Sequence, residues 1–231
     1  MTAAAPGWHG STVIDTPRFI DLSHPIEDGM PVLPGLPPAR IGAHLDHDAS
    51  RPNYEGAEFY LGKVDMPANV GTYIDAPFHR FRHREDLAQV PLERIVGLAG
   101  VLIDATNSDG RGVSTGLPER DLAGCAVLVR TGWDEHWGDD SYWGAAPYLT
   151  EELALELVKR RVGLVGIDSW NVDDTTTTRR PIHTYLLEAG ILVVEHLCNL
   201  DGLPPADFRF FAPVLAIRGG ASFAIRAFAE L

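Results

Sequence analysis

The stretch TEELALELVKRRVGLVGID, Thr150 to Asp168, reads as a helix that hands directly into a buried strand. Thr150 has the side-chain acceptor of an N-cap, and Glu151 and Glu152 place acids in the first turn, where the helix dipole is positive. Leu153, Leu157 and Val158 recur at helical spacing, Lys159 to Arg161 fill the last turn, and Gly163 stands where a helix closes. VGLVGID then begins a strand that is apolar on both faces, as strands covered by helices are. The pair repeats in IHTYLLEA, ended by Gly190 and followed at once by ILVVE, Ile191 to Glu195. Helix and strand alternate only in this second half. Elsewhere, short β-rich segments run from Phe19 to Leu22, Glu58 to Met66, Gly100 to Ala105, Cys125 to Thr131, Phe208 to Ile217 and Ala221 to Ala227. The expected fold is therefore α/β with mixed sheets, not a clean doubly wound one.

Composition agrees with a single body. A chain of 231 residues with 45% hydrophobic content can bury one sizeable core, and no repeat or low-complexity run divides it, so residues 1–231 are expected to form one domain. Irregular stretches at Pro31 to Pro38, Ser108 to Leu117 and Asp173 to Arg180 read as loops. With 19 basic against 32 acidic residues, the net charge of −13 leaves no electrostatic grip on nucleic acid or anionic lipid, so neither is an expected partner. The longest apolar run, around Ile191 to Val194, is far short of the roughly 20 residues that span a bilayer. Met1 to Ser11 lacks the charged start and apolar stretch of a signal peptide, and a cytoplasmic protein is expected. Cys125 and Cys198 sit in apolar segments, AGCAVLV and EHLCNL, and read as small buried hydrophobes, not as a disulfide.

The residues richest in chemistry are NVGTYIDAPFHRF, Asn69 to Phe81, whose Gly, Pro, Asp and His suit neither a plain strand nor a plain helix. Were the chain extended here, Asn69, Gly71, Tyr73 and Asp75 would share one side, with His79 four residues on and Pro77 stiffening the link. By itself this pattern reads as a turn-capping aspartate and a half-buried histidine with a backbone partner.

DLSHPIEDGMPVLPG (Asp21 to Gly35), Asn69 to His79, LVGIDSWNVD (Leu164 to Asp173), PIHTYLLEAGILVVEHL (Pro181 to Leu197) and GGASFAIRAFA at the end together resemble, in order, the signatures of the cyclase family of bacterial kynurenine formamidases, isatin hydrolases and some polyketide cyclases. The resemblance implies a swivelling β/β/α fold and metal-assisted hydrolysis of an amide or lactam, with homodimers or homotetramers and a tie to tryptophan catabolism. Against the family pattern HxGTHxDxPxH, Gly71, Thr72, Asp75, Pro77 and His79 agree, whereas Asn69 and Tyr73 stand where two metal-binding histidines belong. An amide oxygen is a weak ligand, and a phenol must first lose a proton of pKa about 10. In two-metal members a second ion shares the aspartate and takes a histidine and a glutamate, positions that fall on His183 and Glu195. The expectation is thus at most one divalent ion, Zn²⁺ or Mn²⁺, held by Asp75, His183 and Glu195.

On this reading His79 moves protons, while Tyr73 and Asn69 donate hydrogen bonds to a developing oxyanion of a small, aromatic formamide or lactam. Two alternatives stand beside it: a metal-independent cyclase, dehydratase or isomerase that uses Tyr73 and His79 as acid and base, and a catalytically silent descendant that binds a small molecule or partner protein. Other polar groups have plainer readings. HLDHD, His44 to Asp48, is expected to be a solvated loop, and the basic run Arg80, Arg82, His83 and Arg84 to pair with the protein's own carboxylates in preference to an anionic substrate. Trp133, Trp137, Trp143 and Tyr148 suit a flat-ligand pocket and a subunit contact equally.

Overall fold

The alternating strand and helix segments of the second half build the middle of one sheet. The computed structural model describes residues 18–30, 32–114 and 116–231; the Met1 to Ser11 segment and loop residues Pro31 and Thr115 lie outside them. In chain order the elements are β1 (Phe19–Asp21), β2 (Arg40–Leu45), α1 (His47–Ser50), β3 (Leu61–Asp65), β4 (Tyr73–Asp75), β5 (Leu98–Asp104), β6 (Gly112–Val113), β7 (Ala126–Arg130), β8 (Tyr148–Leu149), α2 (Glu151–Lys159), β9 (Leu164–Ile167), α3 (Pro181–Glu188), β10 (Leu192–Glu195), β11 (Ala206–Phe211), β12 (Ser222–Ala224) and β13 (Phe228–Glu230). Nine strands form one sheet in the order β1-β13-β11-β5-β7-β9-β10-β4-β12. Its centre, β5-β7-β9-β10, is parallel, and both flanks are antiparallel. The α/β class with mixed pairing is the architecture observed.

The side-chain period of two divides the core between the two faces. Leu128, Ile74 and Val194 join one cluster, while Val127, Val129, Val165 and Val193 point to the other, under Leu153 and Leu157 of α2 and Ile182 and Leu186 of α3. The Thr150 side chain caps α2 by accepting from Leu153 N at 3.3 Å, as expected. The stop differs: α2 ends at Lys159, Arg161 takes the left-handed conformation at φ +55°, and Gly163 serves a different purpose. A Cβ there would lie 2.8 Å from the Gly124 carbonyl oxygen, so Gly163 lets two backbones approach.

Two local expectations fail, the first because β6 lies inside the stretch from Ser108 to Leu117 that reads as a loop. His44 to Asp48 is not a loop: His44 lies in β2 and Asp46 caps α1 by accepting from Ala49 N at 2.8 Å, although the segment is exposed as expected. Strand β2, in which Ile41, Ala43 and Leu45 alternate with Arg40, Gly42 and His44, is not among the expected strands and is exposed almost throughout. Cys125 and Cys198 are both buried and free. Among the described residues no helix is long and apolar enough to cross a membrane.

Asp168, just beyond β9, is fully buried and ties the ends of the central strands together. It accepts from Thr131 N and Gly132 N at 2.8 Å each, and from the Thr131 hydroxyl. Asp168→Ala leaves these buried donors without a partner, so the chain should lose about 3 kcal/mol or more of stability, read as a lowered denaturant midpoint. An unchanged midpoint would mean that these donors find other acceptors.

Candidate active site

Three neighbouring antiparallel strands place the chemistry. In β4, Tyr73 faces Glu195 of β10 across the pair, and Asp75 faces Ser222 of β12. Direct cross-strand partners and residues two apart share a face, so Tyr73, Asp75, Glu195 and Ser222 all project on the helix side, while Ile74 between them turns into the opposite core. The site lies at the carboxyl end of parallel strand β10, the usual ligand end of such sheets. Gly71, at φ +65° with Ile26 3.1 Å from its would-be Cβ, makes the bend before the strand that no side chain could make. After Asp75 a short helical turn, Pro77–His79, brings His79 back over the sheet. His183 enters from the first turn of α3, next to the ends of the strands.

Each group is held. The Tyr73 hydroxyl donates to Glu195 Oε2, and Glu195 Oε1 accepts from Val172 N at 2.7 Å. Ser222 Oγ donates to Asp75 Oδ1 and lies 3.0 Å from His79 Nδ1. With its proton on Asp75, Ser222 must accept from His79 Nδ1–H, which leaves His79 Nε2 with the free lone pair of a base. Asp173 accepts from Ile182 N (2.7 Å) and His183 N (3.1 Å) and faces His183 Nδ1 at 2.6 Å, which turns His183 Nε2 toward the carboxylates. That nitrogen lies 3.5 Å from both Asp75 Oδ2 and Glu195 Oε1.

Asp75 Oδ2 is buried with no hydrogen-bond partner. A buried orphan oxygen on an ionised carboxylate calls for a cation beside it, either protonated His183 at 3.5 Å or a metal ion that takes the place of that proton. Two spacings of 3.5 Å match the edge of a tetrahedral site, about 3.4 Å for ligands about 2.1 Å from the ion. The donor set, one imidazole and two carboxylates, also suits Zn²⁺ or Mn²⁺. Among the described residues, the trio whose donor atoms all lie within 4.8 Å of one another is Asp75, His79 and His183, with Glu195 beside His183.

Charge couples these groups. Burial alone would raise the Asp75 carboxyl, but His183, His79 and Ser222 hold it below the usual carboxylate range. Burial likewise lowers His183, yet Glu195, Asp173 and Asp75 outweigh that and hold it up, at about 10. Burial and the neighbouring Asp75 raise Glu195 to about 7. Burial, reinforced by the charges of Glu195 and Asp75, pushes the Tyr73 phenol well above its ordinary value. The site opens into a cavity of about 300 Å³, rimmed by Leu33, Leu36, Arg80, Asn171 and Arg180. A larger hollow of about 890 Å³ is lined by Met66, Val214, Leu215 and Ile225 together with Asp21, His24 and Arg226, of which Asp21 and Arg226 pair with each other at 2.9 Å.

A family model described as "Putative cyclase" matches residues 20–174. The chain belongs to the cyclase family. A kynurenine formamidase from Geobacillus thermodenitrificans is 30% identical over 211 residues, covering 90% of this chain and 95% of its own. Isatin hydrolase A from Ralstonia solanacearum shares the fold with a TM-score of 0.80 at 24% identity over 100% of both chains. A Bacillus stearothermophilus protein described as a "predicted metal-dependent hydrolase" does so with a TM-score of 0.74 at 21% identity, over 93% of this chain and 98% of its own.

Within this cyclase-family frame, the six residues singled out from the sequence fall around one cavity. Asn69, Tyr73, His79, His183 and Glu195 line it, with Asp75 buried behind them. Asn69 arrives by a different route from the one its spacing suggests, because Gly71 breaks the extended run; its Nδ2 still stands 3.5 Å from Asp75 Oδ1. The Tyr73 proton is directed at Glu195 and not into the cavity. Sequence reasoning missed Asp173 and Ser222. Both stand inside the cyclase-family signatures, but nothing local shows that a serine 147 residues from Asp75 will share its face. The tryptophan group resolves as packing: Trp137 and Trp143 meet Tyr142 edge-on, and Tyr142 OH bonds His196 Nδ1 at 2.8 Å, behind the Tyr73 ring. Tyr148 stands apart, against Arg111. The basic run does not pair as expected, since among the described residues no carboxylate lies within 4.0 Å of Arg80, Arg82 or Arg84. Arg84 instead donates to the Glu188 carbonyl at 2.8 Å.

Proposed function

We propose that this cyclase-family protein hydrolyses the carbon–nitrogen bond of a small, aromatic formamide or lactam, with one divalent ion held by Asp75, His183 and Glu195. The observation that carries the reading is the gap framed by Asp75 Oδ2, His183 Nε2 and Glu195 Oε1 with its unpartnered carboxylate oxygen. The name of the Geobacillus relative supports the formamide, and the isatin hydrolase fold the lactam. A bound Zn²⁺ or Mn²⁺ supplies a lowered pKa for water and a polarised carbonyl. His79 Nε2 takes a proton from the attacking water and returns it to the leaving nitrogen, so that the water oxygen ends on the acyl carbon and the amine leaves neutral. Asp173 keeps His183 in the tautomer that presents Nε2, and Tyr73 steadies Glu195 through its hydroxyl. Asn69, on the cavity wall, supplies a neutral donor to the reacting carbonyl.

The metal-independent reading asks Tyr73 to give its proton to substrate, a proton already engaged in the hydrogen bond that Tyr73 donates to Glu195. Protein purified without chelator should carry no more than one first-row ion per chain and hydrolyse formanilide or isatin, followed by absorbance, with activity lost on chelation. Two tight ions would overturn the stoichiometry, and chelator-resistant hydrolysis would overturn the metal's role. Failure to turn over any such substrate would favour the silent descendant.

The assembly belongs to the same proposal. Among the described residues, strands β2 and β3 pair only with each other, and every residue of β3 is exposed, including Leu61 (49%) and Val64 (57%). A two-stranded ribbon alone is marginal in water, so a homodimer or homotetramer that covers it is expected. Light scattering should report at least twice 25.2 kDa at micromolar concentration, and a monomer mass would refute the assembly.

A further inference from the structure

We infer that the substrate of this site carries a carboxylate, gripped at the cavity rim by Arg80 and Arg180. The inference rests on the hydrolase reading for the reaction, but its evidence is separate. Both guanidinium side chains line the 300 Å³ cavity, and both also line an adjoining hollow of about 210 Å³, so they stand together at one side of the mouth. Neither has a carboxylate within 4.0 Å among the described residues, whereas the next residue, Arg179, is already committed to Glu151 at 3.0 Å. Arg80 is placed by Nε, 3.2 Å from Thr184 Oγ1, and Arg180 by Nη1, which donates to the Thr177 and Arg179 carbonyls at 2.8 Å each. Their remaining donors are therefore available to an incoming anion, and guanidinium forks match a carboxylate in shape as well as charge.

The floor of the same cavity has the opposite sign. Asp75, Asp173 and Glu195 are buried there around His183. A carboxylate gripped by the two rim guanidiniums leaves the neutral formamide or lactam carbonyl of the same molecule for the reacting groups below. Leu33 and Leu36, each 39% exposed, offer the ring an apolar side. The cavity is small for a ligand pocket, so the acid and the scissile bond belong on one ring or nearly so. Arg80 and Arg180 are thus specificity-determining residues outside the family pattern, and they give the basic run after the motif a purpose that self-pairing does not.

The test separates binding from turnover. At low ionic strength, 2-aminobenzoate should bind at least about tenfold more tightly than its neutral counterpart 2-aminobenzamide by calorimetry, and the preference should shrink as salt screens it. In the Arg80→Gln, Arg180→Gln double variant the ratio of the two affinities should fall toward one, and Arg→Lys at both positions should restore part of it. The kcat/KM ratio of 2-formamidobenzoate to formanilide should follow the same pattern. Equal binding of acid and amide, or a preference that survives in the double variant, would overturn the rim assignment. Hydrolysis of formanilide without acid preference would leave the hydrolase standing and remove the clamp. An arginine-dependent preference for the acid with hydrolysis of neither substrate would keep the clamp and remove the hydrolase.

Discussion

Asp75→Asn should empty the site of its ion. The substitution keeps an acceptor for Ser222 but removes both the charge and the orphan oxygen that faces His183. Structural zinc sites bind with roughly 10–16 kcal/mol over four ligands, so one carboxylate is worth about 3 to 4 kcal/mol, a loss of several hundredfold in affinity that equilibrium dialysis would read. The pH dependence of the unaltered protein tests the same geometry. His183, held up at about 10, is protonated at neutral pH and must release a proton before Nε2 can bind. Glu195, at about 7, must release one as well below neutrality, while Asp75, held low, is already ionised. Affinity should therefore rise with pH, about tenfold per unit between 7 and 10 and more steeply below 7. Affinity that stays flat from pH 6 to 9 would place the ion elsewhere.

His79→Asn should lower kcat by about a hundredfold to ten-thousandfold, the range for loss of a positioned general base, while metal content stays the same. Its side chain is 36% exposed, so the fold has little to lose. The prediction decides between two arrangements that this cavity presents. If His79 works as the base, its Nδ1–H rests on Ser222 and its Nε2 meets the water, so chelatable metal survives the substitution and only turnover falls. If His79 is instead the third ligand, as its convergence with Asp75 and His183 permits, metal and turnover fall together, and Glu195→Gln becomes the milder change. Elemental analysis beside steady-state kinetics on the two variants separates the cases.

Much of the frame could be read along the chain because it is written in local periodicities. The capped helix before β9, the apolar runs of β7, β9 and β10, and the helix before β10 follow from side-chain spacing and cap chemistry, which act within one or two turns. The family signatures likewise identified six residues that the fold gathers around one cavity. Strand β4 was less legible, since three residues between a left-handed glycine and a proline turn carry too little pattern. Strand β2 does carry a short alternation, Ile41, Ala43 and Leu45, but its exposed ribbon buries neither face and a glycine interrupts it.

What the order of residues determined by itself was the supply of groups: Asn69, Tyr73, Asp75, His79, His183 and Glu195 at fixed places, and a basic run after the motif. Their working relations were decided by tertiary structure alone. The direction of the Tyr73 proton depends on the register that sets Glu195 opposite it, and Ser222 reaches both Asp75 and His79 only because β12 pairs with β4. The orientation of His183 depends on Asp173, which caps α3 from a loop ten residues before it. The availability of Arg80 and Arg180 depends on which carboxylates the fold carries elsewhere. The physical reason is common to all of these: hydrogen bonds and ion pairs act over about 3 to 4 Å, and only the closed fold sets which atoms come that near.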